Sequence, residues 1–225
     1  MKKIVFIMMA MLMAVIPSTA QNYKHSKYYN QKTGHLDYGF NNKGVDTYYG
    51  IRIGPGFSYV TSDDSRLDGG DWQTGINVGV VAGFPLTYSD PLYLETGLYY
   101  IEKGGKKSLG GGKKMTYDLN YLEIPVVVKY KYEIDDDLTI EPFAGGYFAA
   151  GVGGKIKNFA EREAQSSFRS DNFRRLDGGL RIGCGIGYDM FYADLTYDIG
   201  LANICHDTFD KARNRAVMLN FGVNF

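Results

Sequence analysis

From Thr47 to its last residue the chain is written in twos. Apolar side chains recur at every second position, with glycine, charged and small polar residues between them. Successive side chains of a β-strand point to opposite faces, so this period means strands with one apolar and one polar face. The last ten residues, AVMLNFGVNF, show it plainly. Val217, Leu219, Phe221, Val223 and Phe225 alternate with Met218, Asn220, Gly222 and Asn224. A sheet of such strands must place its apolar face somewhere dry, and that requirement constrains the fold more than any other feature.

The alternation predicts eight strands, over 48–60, 73–86, 91–102, 115–132, 138–150, 173–188, 191–202, and from about Arg213 to 225. In the fourth, Leu122, Ile124, Val126 and Val128 oppose Tyr121, Glu123, Val127 and Lys129. Tyr117 and Leu119 fall out of phase with that apolar set, which predicts a bulge near Asn120. The connections alternate in length. Those at 61–72, 103–114, 151–172 and 203–212 are long, while those at 87–90, 133–137 and 189–190 are tight. Long loops at one end and tight turns at the other are the asymmetry of an outer-membrane barrel. The expected fold class is therefore all-β, an eight-stranded antiparallel up-and-down transmembrane β-barrel over residues 47–225. Its last strand closes against the first.

Alternation alone does not say which face is outside, because a soluble eight-stranded barrel alternates too. The polar face decides. It is dominated by glycine, which a solvent-facing surface gains nothing from and a crowded lumen needs. Its charges are of both signs: Arg52, Lys129, Lys131 and Arg181 with Glu95, Glu123, Glu141, Asp177, Asp194 and Asp198. In a narrow lumen these can pair. On a lipid face each basic one would cost about 2–4 kcal/mol at the midplane. The apolar faces are almost free of charge, and aromatic residues such as Tyr49, Tyr59, Trp72, Tyr130, Tyr188 and Phe191 crowd the strand ends, as interfacial girdles require.

Lys2 and Lys3, the apolar run 4–16 and the small residues Ser18, Thr19 and Ala20 read as a secretory signal peptide over residues 1–20. The apolar run is shorter than the ~20 residues of a spanning helix. Residues 21–46 are polar and aromatic without a period, and are expected to form a poorly ordered periplasmic leader. An exported chain with no other long apolar run can cross a membrane only with strands. Localisation in the outer membrane follows. Lys+Arg and Asp+Glu number 25 each, a balance that argues against a nucleic-acid partner.

The segment YLEIPVVVKY, residues 121–130, resembles the YLEIP-type strand of the PorT-like outer-membrane β-barrel family, and the glycine-rich hairpin 178–197 is similar to that family's too. The resemblance covers 47–225. It implies an eight-stranded barrel inserted by the outer-membrane assembly machinery, which in this class recognises a terminal aromatic strand such as the one ending in Phe225. Members are functionally diverse, one branch being linked to protein secretion.

Catalysis finds little support. His25, His35 and His206 are scattered without metal-ligand spacing, and no expected strand carries a histidine. No catalytic residue, metal or cofactor is expected. Gly110-Gly111-Gly112-Lys113-Lys114 lacks the spacing of a phosphate loop, and Asp135-Asp136-Asp137 lacks the glycine and distal Glu of a calcium loop. Two sets remain. Arg52, Glu95, Glu123, Lys129, Glu141, Arg181, Asp194 and Asp198 are expected to form a lumen ion-pair network. Lys103, Lys106, Lys107, Lys113 and Lys114 are expected to form a basic outer loop that contacts lipopolysaccharide phosphates or another anionic partner. Cys184 and Cys205 are assigned near opposite ends of the strands, too far apart for a disulfide. The function expected is an envelope scaffold or machine subunit with a plugged lumen. The alternatives are a narrow diffusion channel and, distantly, a lipid-modifying enzyme.

Overall fold

The computed structural model describes residues 47–62, 71–87, 90–108, 114–135, 137–157, 165–168, 173–205 and 211–225. Eight long strands form the barrel: β1 (Tyr48–Ser62), β2 (Gln73–Pro85), β3 (Leu92–Ser108), β4 (Lys114–Tyr130), β6 (Leu138–Gly153), β9 (Leu176–Tyr188), β10 (Phe191–Gly200) and β11 (Ala212–Asn224). Three short segments are appended to it: β5 (Tyr132–Asp135), β7 (Lys155–Lys157) and β8 (Gln165–Ser166). Each long strand pairs antiparallel with its neighbour, β4 pairs β6, and β11 pairs β1. The sheet therefore closes on itself and leaves no long edge exposed.

The last strand closes antiparallel against the first, as expected. Ile51 faces Val223, Ile53 faces Phe221 and Phe57 faces Val217. Tyr49 and Phe225 exchange both backbone hydrogen bonds at 2.9 Å, so the last residue is pinned to the first strand. The tight turns share the end that holds the start of β1 and the end of β11. In the two-residue turn between β9 and β10, Asp189 takes φ 53°, a left-handed conformation that such a turn requires and that Asp tolerates. By the loop asymmetry this end is periplasmic and the other is outer.

The faces follow the alternation. Tyr49, Ile53, Ile76, Leu98, Ile124, Ile182, Leu195 and Phe221 lie exposed on the outside, forming an apolar belt. Arg52, Glu123, Lys129 and Asp198 on the same strands are buried inside. The inner glycines leave space for rings. A Cβ on Gly83 would overlap the ring of Tyr48, its partner across the β1–β2 ladder, and one on Gly185 would overlap Tyr192. The small residues on one strand thus make room for large ones on the next.

One sequence expectation is corrected and another is sharpened. The third strand does not end at Glu102 but runs to Ser108, paired with β4 throughout its outer length. The bulge expected near Asn120 is present, but its extra residue is not on β4. The register of β4 against β3 is unbroken there, and Tyr117, Leu119, Tyr121 and Glu123 all point inward. The register shift at Asn120 belongs to the β4–β6 ladder. Asn120 pairs Gly153 and Tyr121 pairs Gly151, so Val152 of β6 is the extra residue. The phase never changed along β4. The chemistry of the inner face did.

Residues 1–46, with the expected signal peptide and leader, lie outside the described residues. No described helix is long and apolar enough to cross a membrane, which says nothing of crossing by strands.

Candidate functional site in the barrel lumen

The inward side chains form three layers. Nearest the periplasmic end, Lys129 on β4 donates to Glu95 on β3 at 2.7 Å and to the hydroxyl of Tyr192 at 2.8 Å, and it lies 3.5 Å from Glu141 on β6. Tyr48 donates to the same Glu95 carboxylate at 2.6 Å. Arg52 donates to Asn224 at 2.6 Å and to the Val223 carbonyl at 3.2 Å, with its guanidinium 3.9 Å above the Tyr192 ring. At the rim, Lys131 sits 3.7 Å above the ring of Tyr48. One lysine therefore ties its own strand to three others, and aromatic faces take up the remaining positive charge.

Across the middle stands a tighter group. Lys103 on β3 bridges Glu123 (2.7 Å) and Asp198 (3.0 Å). Arg181 on β9 grips Asp198 with two donors, Nε at 2.7 Å and Nη2 at 2.9 Å, and reaches Glu123 as well. Two cations and two carboxylates alternate, and all four residues are at most 5% exposed. Lys103 also lies 4.2 Å from the centre of the Tyr147 ring. Burying a charge is costly unless opposite charge and hydrogen bonds meet it. Here each charge meets two partners.

At the outer end the inward positions become apolar. Val60, Tyr117, Leu119, Tyr121, Tyr147 and Ala149 from the wall meet Phe168, Phe173, Ile204 and Cys205 from the long connections in one buried cluster. Tyr117 stacks on Phe173 at 5.5 Å, and Tyr121 meets Phe168 edge-on at 5.6 Å. Ser167 anchors this cap by donating to the Asp118 carbonyl at 2.6 Å.

These positions can be set against the sequence expectations. Glu95, Glu123, Lys129, Glu141, Arg181 and Asp198 point inward and form ion pairs. Arg52 and Asp194 point inward but pair with neutral groups. Thr196 and Asn220 each donate to Asp194 at 2.7 Å. Lys103 is the main correction: it is no loop residue but a buried member of the middle group. The signal was present, since the odd-numbered inward positions of β3 simply continue to 103. Lys106 and Lys107 lie on the outer part of β3. Lys114 opens β4, and Lys113 falls outside the described residues. Asp177 adds to the set, accepting from Asn214 at 2.8 Å and from the Gly178 amide at 2.7 Å. Tyr48, Tyr192 and Asn220, inward by alternation, were missed as partners because neutral groups carry no charge pattern to flag them.

Cys184 is exposed on the outer surface of β9 and Cys205 is buried in the outer cap, and the two form no disulfide. His25, His35 and His206 lie outside the described residues. Among the described residues, no cluster of His, Cys, Asp or Glu is arranged to hold a metal ion.

A closed barrel with an apolar outer belt and a charged interior is a transmembrane β-barrel. Residues 46–206 match the family model described as the outer membrane protein beta-barrel domain. The chain belongs to that family and is an outer-membrane protein. No curated protein sequence matches it. Among solved structures, it is similar to Ail, the attachment invasion locus protein of Yersinia pestis, at 17% identity and a TM-score of 0.42, covering 80% of this chain and 99% of that one. It is also similar to Neisserial surface protein A, at 14% identity and a TM-score of 0.45, covering 80% and 97%. A major outer membrane protein from Thermus thermophilus matches at 14% identity and a TM-score of 0.47, covering 80% and 100%.

Proposed function

We propose that this protein is a structural or interaction component of the cell envelope, a barrel plugged by its own side chains that acts through its outer end and its wall. One observation carries the reading: Lys103, Glu123, Arg181 and Asp198 meet across the middle of the lumen with all four residues buried. An eight-stranded barrel is just wide enough for its own side chains, and ions crossing it would have to break that group. The apolar cap above adds a second barrier of different chemistry. Purified, refolded protein in planar bilayers is expected to give no stable open-channel currents. Stable currents would replace this reading with that of a narrow diffusion channel.

The reading includes no enzymatic activity, since its polar clusters are used in pairing. It takes residues 1–20 as the export signal and 21–46 as a periplasmic leader. Its partners are outer-membrane lipid, lipopolysaccharide at the basic outer end, and the assembly machinery that reads Phe225. Phe225 supports the last of these, being exposed at the end of the closing strand. The narrower PorT-like reading rests on the segment 121–130, whose Glu123 and Lys129 are lumen residues.

A further inference from the structure

The outer edge of the apolar belt is not uniform around the barrel. On β11 the outward positions run Phe221, Leu219, Val217, Arg215 and Arg213 toward the outer end. Arg215 lies ten positions before Phe225. At about 3.4 Å per residue and a tilt of about 40° those positions rise about 26 Å, the ~25 Å height of an outer-membrane belt. Arg215 therefore stands where acyl chains give way to headgroups, and Arg213 is about 7 Å farther out along the same face. Arg213 is exposed and Arg215 half-buried.

The neighbouring strands build the surroundings. Tyr59 and Thr61 of β1 lie opposite Arg215 and Arg213, and Ile199 of β10 flanks Arg215 from the other side. The Tyr59 ring packs on Trp72 at 4.6 Å, and Tyr197 lies on β10 opposite Val217 of β11. Among the described residues neither guanidinium has an ion-pair partner. On the opposite wall, the outer parts of β3 and β4 carry Glu102 and Asp118, and Lys157 is paired with Asp118 at 3.2 Å. Among the described residues, the basic charge of Arg213 and Arg215 at the belt edge of the β10–β11–β1 wall thus has no ion-pair partner.

We propose that Arg213 and Arg215 bind a phosphate of lipid A in the outer leaflet, with Tyr59, Trp72 and Tyr197 packing against the boundary of its sugar and acyl chains. This rests on the lipopolysaccharide reading above and gives it a location other than the β3–β4 hairpin. A guanidinium at a membrane interface gains most by meeting an anion, and its planar fork matches phosphate oxygens with two parallel hydrogen bonds. Aromatic residues with a polar tip suit the same depth.

The chain carries one tryptophan, Trp72, so its fluorescence reports on this wall alone. Full-length protein refolded in detergent is titrated with phosphorylated lipid A, with the dephosphorylated lipid, and in competition with phosphatidylglycerol. Unheated gel migration checks that each variant is folded. R213Q/R215Q is expected to weaken binding of phosphorylated lipid A at least about tenfold, R213K/R215K to keep part of it, and loss of the phosphates to match the glutamine variant. K106Q/K107Q is expected to stay within about twofold. If R213Q/R215Q binds as the wild type does while K106Q/K107Q does not, the site is overturned and the lipopolysaccharide reading survives. If the wild type does not bind phosphorylated lipid A, both fall. Equal competition by phosphatidylglycerol would overturn the assignment to lipid A.

Discussion

Glu123 and Tyr121 are neighbouring inward positions on β4, yet they face different surroundings. Glu123 meets Lys103 and Arg181 in the charged middle of the barrel, whereas Tyr121 meets Phe168 in an apolar cap. The strand, its register against β3 and its inward parity are the same at both. What differs is the source of the partners. The middle layer is built wholly from barrel strands, so its charges must satisfy one another within a rigid wall. The cap is built partly from Phe168, Phe173, Ile204 and Cys205, which arrive on the long connections. A barrel can thus fill its lumen by charge pairing where only the wall is available, and by apolar burial where loops can fold back over the mouth.

The comparison makes the middle layer the more brittle of the two. Replacing Lys103 by Met leaves Glu123 and Asp198 sharing Arg181 alone. Removing one partner of a buried ion pair costs about 3–5 kcal/mol, and urea unfolding from lipid vesicles is expected to show a loss of that size. A loss under about 1 kcal/mol would mean that the group contributes little. F168A removes a buried ring from the cap. The loss is expected near the lower end of the range for buried aromatics, about 3 kcal/mol, because a loop can partly collapse into the space. The sharper readout there is Cys205, which is fully buried. It is expected to react with a water-soluble maleimide in folded F168A and to stay protected in the folded wild type. Protection in both would show that the cap does not depend on Phe168. G151A is the mildest test. A Cβ at Gly151 overlaps the Phe168 ring, so the ring must shift, at about 1–2 kcal/mol. A stability equal to wild type would show that the cap tolerates such a shift freely.

The barrel was largely legible in the sequence because period-two alternation is a local signal, and lipid on one side enforces it at every residue. Closure of β11 on β1 followed from the even strand count. The charged inner face was legible for the same reason, down to Glu123, Lys129, Arg181 and Asp198. Lys103 continues that inward period, but the two glycines after it make the stretch read as a loop. The cap was hidden for a physical reason. Tyr117 and Leu119 are apolar residues on an inward face, and a pattern that equates apolar with outward turns them into a phase error. Of its other half, Phe168 and Ile204 sit on connections with no period to read, and Phe173, expected to open the sixth strand, stands just before β9.

The central claim is that the middle of the lumen is one mutually neutralised group and not a set of independent charges. A double-mutant cycle on Lys103 and Glu123, measured by reversible unfolding in lipid vesicles, tests it most directly. In K103M/E123Q the two-donor pair of Arg181 with Asp198 remains, and the group is again neutral. The double variant is expected to lose little more than either single one, a coupling of at least about 2 kcal/mol. Single effects that add to within about 0.5 kcal/mol would contradict the account.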